Sequence, residues 1–257
     1  EGDGPFPAVV IIHGSGTSRR DNPWYLTLCQ HLQQQGIVVL LPDKRGSERS
    51  QGDWRNSSFE DLASDTSAAV ALLHTQRDVA VSRIGLIGLS QGGKTAPLAA
   101  TQAPGVSFVV NVVGGARPLQ HELLYEESHN LRQLGFLPGV SHLIAYVSTF
   151  YLTNVSQRDF WNHVGNFDPL SYWKQLSIPA LVLYGEDDTN VDSARCVASL
   201  NSLKKSNIQI VVYEGSGHAL EDPVGTGNSY FRADALLRIS EFIRAASETT
   251  GETPAHR

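Results

Sequence analysis

Methionine is absent from this chain of 257 residues, and cysteine occurs only at Cys29 and Cys196, with no C-x-x-C spacing. That count excludes a disulfide framework and a thiolate metal site. With no methionine even at the first position, the chain reads as a processed form or a fragment entered in mid-protein, and residues 1–5 look like a loop. No apolar run is long enough to span a bilayer. Charge is sparse at 18%, and the formal net charge of −6 argues against nucleic acid or an anionic membrane as partner. The chain therefore reads as soluble, with the cytoplasm as its default compartment. A Walker phosphate loop is missing. The glycines after His13 are not followed by a third one opening a helix, nor by an acidic residue placed for a ribose. No pair of histidines has i,i+4 metal spacing with a second strong ligand. Neither metal nor cofactor is expected.

What is present is globular. Hydrophobic residues make up 41%, enough for a sizeable core in one domain. Apolar runs at 8–12, 37–41, 83–88, 107–113, 179–184 and 208–213 are continuous in Val, Ile and Leu instead of alternating. That is the pattern of strands buried on both faces of a parallel sheet. Helical patterns fall between them at 23–35, 58–75, 91–102, 191–203 and 230–247. Ser58 with Asp61 forms a capping-box signature, and Gly36 follows the first helix. The alternation predicts an α/β fold with helices on both faces of a mostly parallel sheet. The rhythm breaks between Gly115 and Ser177, where helical pattern and aromatics replace strands. We read 117–170 as a helical cap inserted into a core of 1–116 and 171–257. Tyr146, Phe150 and Trp161 are its candidate substrate contacts. The tail 248–257 is polar and expected to fray.

In such sheets ligands bind at the carboxyl ends of the strands. The third run ends in Gly88-Leu89-Ser90-Gln91-Gly92-Gly93, a strand that presents a serine and turns at once into a helix. This is the context that G-x-S-x-G needs to mark a nucleophile. The turn predicts a strained Ser90 backbone, with Gly88 and Gly92 lacking side chains because neighbouring backbone comes close. After the fifth run stand Asp187 and Asp188, and after the sixth His218. A serine hydroxyl needs a base to take its proton, and a base with near-neutral affinity needs an acid to orient it. Asp187 and Asp188 compete for that place, with Asp192 a distant third. The backbone amides of Gln91 and of Ser15 are the candidate oxyanion donors, and Gly14 and Gly16 let backbone approach the substrate. Arg20-Asp21-Asn22 and Asp43-Lys44-Arg45-Gly46 read as charged loops that pair with each other and brace the oxyanion loop. Lys94 is expected to face a neighbouring loop. Of the other histidines, His13 orders its turn, and His142 and His163 stay open as substrate contacts.

These motifs together (His13-Gly14-Ser15-Gly16, Arg20-Asp21-Asn22, Asp43-Lys44-Arg45-Gly46 and Gly88-Leu89-Ser90-Gln91-Gly92-Gly93) resemble the α/β-hydrolase superfamily over nearly the whole chain. Within it they are similar to bacterial esterases related to the dienelactone hydrolases and to the acyl-CoA thioesterase/bile-acid acyltransferase group. The resemblance implies a Ser90, Asp188, His218 triad, with Asp188 matching the family spacing Gly-x-x-Asp-x-x-Val from Gly185 to Val191. It implies a serine esterase acting on a small carboxylic ester, and the aromatic-rich insertion points to an apolar or aromatic acyl group. A thioesterase, an acyltransferase or a peptidase would use the same residues, and a non-catalytic binding module is the remaining alternative. The antiparallel strands that usually open this fold have no counterpart in the sequence. Nothing in it specifies an oligomeric state.

Overall fold

The computed structural model describes residues 4–76, 80–222 and 230–248. The first three residues of the expected opening loop, and the tail beyond Glu248 with His256, lie outside them. Six strands, β1 (Phe6–Ile12), β2 (Val38–Leu40), β3 (Val81–Leu89), β4 (Val106–Val112), β5 (Ala180–Gly185) and β6 (Ile208–Tyr213), form one all-parallel sheet in the order β2-β1-β3-β4-β5-β6. Each coincides with an expected apolar run to within about two residues, the scatter usual at element ends.

The strands are apolar on both faces because both faces are covered. Ala8, Val10 and Ile12 of β1 join one core cluster, and Val9 and Ile11 join the other. In β5, Ala180, Val182 and Tyr184 go to the first cluster and Leu181 and Leu183 to the second. The first is covered by α2 (Phe59–Thr75), α3 (Gln91–Gln102) and α8 (Ser193–Ser202), the second by α1 (Pro23–Gln34) and α9 (Ala233–Glu248). Burying each such Leu, Ile or Val contributes about 1.5–3 kcal/mol. The start of α2 is the expected capping box: the Ser58 hydroxyl accepts from Asp61 N, and the Asp61 carboxylate accepts from Ser58 N.

Between β4 and β5 the chain runs through α4 (Leu119–Gln133), α5 (Pro138–Tyr151), a π-helical turn at Leu152–Ser156, α6 (Arg158–Val164) and α7 (Leu170–Gln175). This segment shares the first core cluster. Val164, Phe167 and Trp173 are buried in it, and the Phe167 ring stacks on Phe59 of α2 at 3.8 Å.

The sheet order fixes where function can sit. β1 lies between β2 and β3, so the chain leaves β1 in one direction and reaches β3 in the other. The loops leaving β1 and β3 therefore face each other across a topological switch point.

Candidate active site

Ser90 stands between β3 and α3 with φ 53° and ψ −115°, a backbone conformation that L-residues avoid. Two close approaches hold it there. A Cβ on Gly88 would collide with the Gly92 carbonyl, and one on Gly92 with the Ile12 carbonyl at the end of β1. The strand and helix can meet at this angle only because both positions lack side chains. Ser90 N donates to Val112 O at 2.9 Å, pinning the turn to β4.

Three loops then converge. His218 Nε2 lies 2.9 Å from Ser90 Oγ, and His218 Nδ1 lies 2.8 Å from Asp188 Oδ2. Asp188 is fully buried, and its other oxygen accepts from the backbone N–H groups of Asn190 (2.8 Å) and Val191 (3.0 Å). Its orientation is thus set by three donors. Asp187 is exposed, and Asp192 is the N-cap of α8, paired with Arg117 and Arg195. The His218 loop is held from below by Glu221, whose carboxylate accepts from Gly217 N at 3.0 Å and Ala219 N at 3.2 Å. Sequence reasoning missed Glu221, whose only signal is its position three residues beyond the histidine.

The loop after β1 is fixed as tightly. Gly14 N donates to Tyr25 Oη at 2.8 Å, while the amides of Ser15 and of Gln91 at the start of α3 have no acceptor among the described residues. Both residues border the cavity over Ser90. Lys44 reaches in from the loop after β2. Its Nζ donates to Gly14 O (2.7 Å), Gly16 O (3.3 Å) and Gln91 Oε1 (2.8 Å), tying the two amide-bearing segments together. Burial pushes the Lys44 ammonium down to about 7. The Trp54 ring beneath it, 4.7 Å from Nζ, favours the charged form. Arg20 pairs with Asp43, as expected of bracing loops. His13 is buried, with Nε2 2.6 Å from Pro42 O, and burial lowers its basicity. It orders the turn and does not reach Ser90.

The cavity over Ser90 has a volume of about 410 Å³. Trp24, Phe59, Leu119, Leu123, Phe160 and Trp161 form its apolar wall. A second cleft of about 590 Å³ lies on the solvent side of His218 and Trp24. The insertion contributes differently from the expectation. Trp161 borders the Ser90 cavity, but Tyr146 and Phe150 do not. They project from α5 into a separate depression of about 610 Å³ and are more than half exposed. Aromatic content alone does not reveal which way α5 is turned: none of its residues lines this cavity, and the face it buries carries Ser141 and Ala145. His142 and His163 are also away from the cavity, on Ser128 Oγ and Asp159 O.

In their place α4 supplies polar groups that no motif announced. Glu122 is buried and pairs with Lys94, which faces the cavity from α3 rather than a neighbouring loop. Glu126 Oε1 accepts from Asn190 Nδ2 at 2.9 Å, and burial raises its carboxyl above its ordinary value. The i, i+3, i+4, i+7 spacing of Leu119, Glu122, Leu123 and Glu126 was the available signal. No three His, Cys, Asp or Glu side chains converge to hold a metal ion among the described residues. Nor, among them, is any helix long and apolar enough to cross a membrane.

Comparisons with known proteins agree with this architecture. The dienelactone hydrolase family model matches residues 1–131, and the model for the C-terminal region of BAAT and acyl-CoA thioester hydrolases matches 67–226. Esterase EstD of Thermotoga maritima is 27% identical over 86% of this chain and 56% of its own length. The acylamino-acid-releasing enzyme of Rattus norvegicus is 23% identical over 88% of the chain and 30% of its own length. The chain thus spans about half, or less, of these curated relatives. Among solved structures, Pyrococcus furiosus esterase Pf2001 superposes with a TM-score of 0.69 at 19% identity, covering 95% of this chain and 83% of that one. Est1E of Butyrivibrio proteoclasticus, solved with ferulic acid, gives 0.58 at 19%, covering 93% and 87%. At such identities these two likenesses speak for the fold alone.

Proposed function

The chain belongs to the dienelactone hydrolase and BAAT/acyl-CoA thioester hydrolase C-terminal families of α/β-hydrolase esterases, and from that premise we propose that it cleaves small carboxylic esters carrying an apolar or aromatic acyl group, through a Ser90–His218–Asp188 triad and an acyl-enzyme. The observation that carries this reading is the unbroken chain of hydrogen bonds from Asp188 through His218 to Ser90.

The chemistry follows from charge movement. His218 Nε2 takes the Ser90 proton as Oγ attacks the ester carbonyl carbon, and Asp188 stabilises the imidazolium so formed. Negative charge develops on the carbonyl oxygen, where the amides of Gln91 and Ser15 receive it. Each such donor is worth about 3 kcal/mol of barrier. Lys44 holds both amide-bearing segments in register and acts as a positioning residue. The tetrahedral intermediate collapses, His218 returns its proton to the leaving alcohol, and water repeats the sequence on the acyl-enzyme to release the acid. Phe160 and Trp161 favour an apolar or aromatic acyl group, and residues 117–170 act as the cap that selects it.

Hydrolysis of p-nitrophenyl esters of graded acyl length, followed in time beside a matched acyl-CoA and an aminoacyl anilide, tests the proposal. The expected result is ester turnover with an acyl-enzyme burst, both lost in Ser90→Ala. A burst surviving in Ser90→Ala overturns the nucleophile, and turnover confined to acyl-CoA or anilide overturns the ester assignment.

A further inference from the structure

Helix α5 has its polarity inverted relative to a helix laid on a solvated protein. Only Ser141 and Ala145 are buried, with Ser148, Thr149 and Leu152 half-buried along the same stripe against the rest of the chain. The large apolar side chains point outward: Leu143, Val147 and Phe150 are 66%, 60% and 62% exposed, and Leu137, Val140, Ile144 and Tyr151 join them. From 133 to 157 the sequence contains no Asp, Glu, Lys or Arg. We propose that this face of α5 is where two copies of the chain associate about a two-fold axis.

Three features select a second copy as the occupant. The first is spacing. Val140, Leu143, Val147 and Phe150 alternate in steps of three and four, with Ile144 and Tyr151 beside them, which is the seam of one helix packed along another. The second is area. With Leu137 and Tyr146 these side chains together expose on the order of 900 Å², against roughly 800 Å² per partner in a standard specific interface and 300–600 Å² for the largest patch on a typical monomer. The third is charge. Across a two-fold axis the same patch supplies both sides, so an excess of one charge on it would face itself, and this face carries no Asp, Glu, Lys or Arg. A helix built to lie in a lipid surface carries Lys or Arg on its polar side, and the buried stripe of α5 has neither. The depression beside Tyr146 and Phe150, about 610 Å³, continues the same face and offers a pocket for an aromatic anchor from the second copy.

Sedimentation equilibrium of the full chain across micromolar concentrations tests the proposal, with Leu143→Glu and Val147→Glu as probes. The wild type is expected at twice the 28.0 kDa of one chain, and both variants at the single mass with unchanged far-UV circular dichroism. In a Cys29→Ser background, Val147→Cys is expected to form a covalent dimer under mild oxidation. Leu72→Cys, exposed on α2, is not. A monomeric wild type overturns the proposal, and binding of that monomer to phosphatidylcholine vesicles would reassign the face to lipid. A dimer that survives both glutamates also overturns it. Should the glutamate variants lose their helical signal, the cross-link decides, and its absence overturns the proposal.

Discussion

On the sheet side of the cavity, α3 buries Gly92 and Gly93 against the ends of β1 and β4, which leave no room for a side chain at either position. On the insertion side, α5 also buries only small residues, Ser141 and Ala145, yet leaves its bulk outside. Small residues face inward in both helices for different reasons. In α3 they allow the backbone of the Ser90 turn to touch the backbone of β1, so its geometry is set by main chain that cannot give. In α5 they let one helix lie close along the rest of the insertion. The neighbouring helices α4 and α6, which share the core of the sheet, present the side chains that line the cavity over Ser90. The turn at Ser90 is thus built from backbone contact, and the proposed selectivity would come from exchangeable side chains on helices. The two walls should answer mutation in different currencies.

The largest effect belongs to the sheet side. Asp188→Asn should lower kcat by about 10⁴, the loss expected when the imidazole is left in the wrong tautomer. Asp187→Asn, at an exposed carboxylate, should stay near wild type. Steady-state rates on one ester decide it, and equal losses would erase the assignment of Asp188. Next comes a matched pair of glycines. A methyl on Gly92 meets the Ile12 carbonyl, whereas one on Gly139 of α5 meets nothing within 4 Å. Gly92→Ala should destabilise by about 3 kcal/mol or more, beyond ordinary overpacking, because the clash is with backbone. Gly139→Ala should stabilise by up to about 1 kcal/mol, through helix propensity and a less flexible unfolded chain. Denaturant midpoints read both. Like signs would mean the two helices are not packed by different rules.

On the insertion side the expected change is one of preference. Trp161→Ala enlarges the apolar wall without touching Ser90, so kcat on a short ester should stay within about tenfold while the optimum moves to longer acyl groups. The profile of kcat/KM against acyl length shows it. An unchanged optimum with a collapsed rate would place Trp161 on the reaction side of the comparison.

This division also explains what could be read from sequence. The strands were visible because burial on both faces demands unbroken Val and Ile. Ser90 stood out as a candidate because its turn requires Gly88 and Gly92, whereas Asp188 was separated from Asp187 only by the family spacing from Gly185 to Val191. Residues on helices carry no such punctuation. Glu122 and Glu126 sit in α4 among ordinary helix formers, and their meaning depends on Lys94 and Asn190, far away in sequence. Tyr146 and Phe150 misled for the converse reason: an aromatic run identifies a face in need of cover without saying what covers it. Lys44 was legible as a bracing charge, but its acceptors Gly14 and Gly16 became visible only once β1 and β2 were paired.

Lys44 joins the fixed wall to the rest through a single ammonium, and its titration gives the smallest and most specific effect. Its folded value of about 7 lies below the unfolded value of about 10.4, because burial penalises the charge. Between those values the unfolded chain holds a proton that the folded chain has shed. Stability should therefore rise with pH across that window, by at most about 1.4 kcal/mol per pH unit, and the burial penalty is present in full only below it. The cysteines contribute oppositely at higher pH, since burial pushes Cys29 to about 11 and Cys196 to about 12. The informative comparison is the difference between wild type and Lys44→Met from about pH 7 to about pH 8.5, in which the thiol contribution is common to both proteins and cancels. Denaturant midpoints should climb in the wild type relative to the variant. Parallel profiles would mean that the carbonyls of Gly14 and Gly16 and the face of Trp54 outweigh burial and keep the ammonium charged. The clamp on the Ser15 and Gln91 segments would then be insensitive to pH throughout this range.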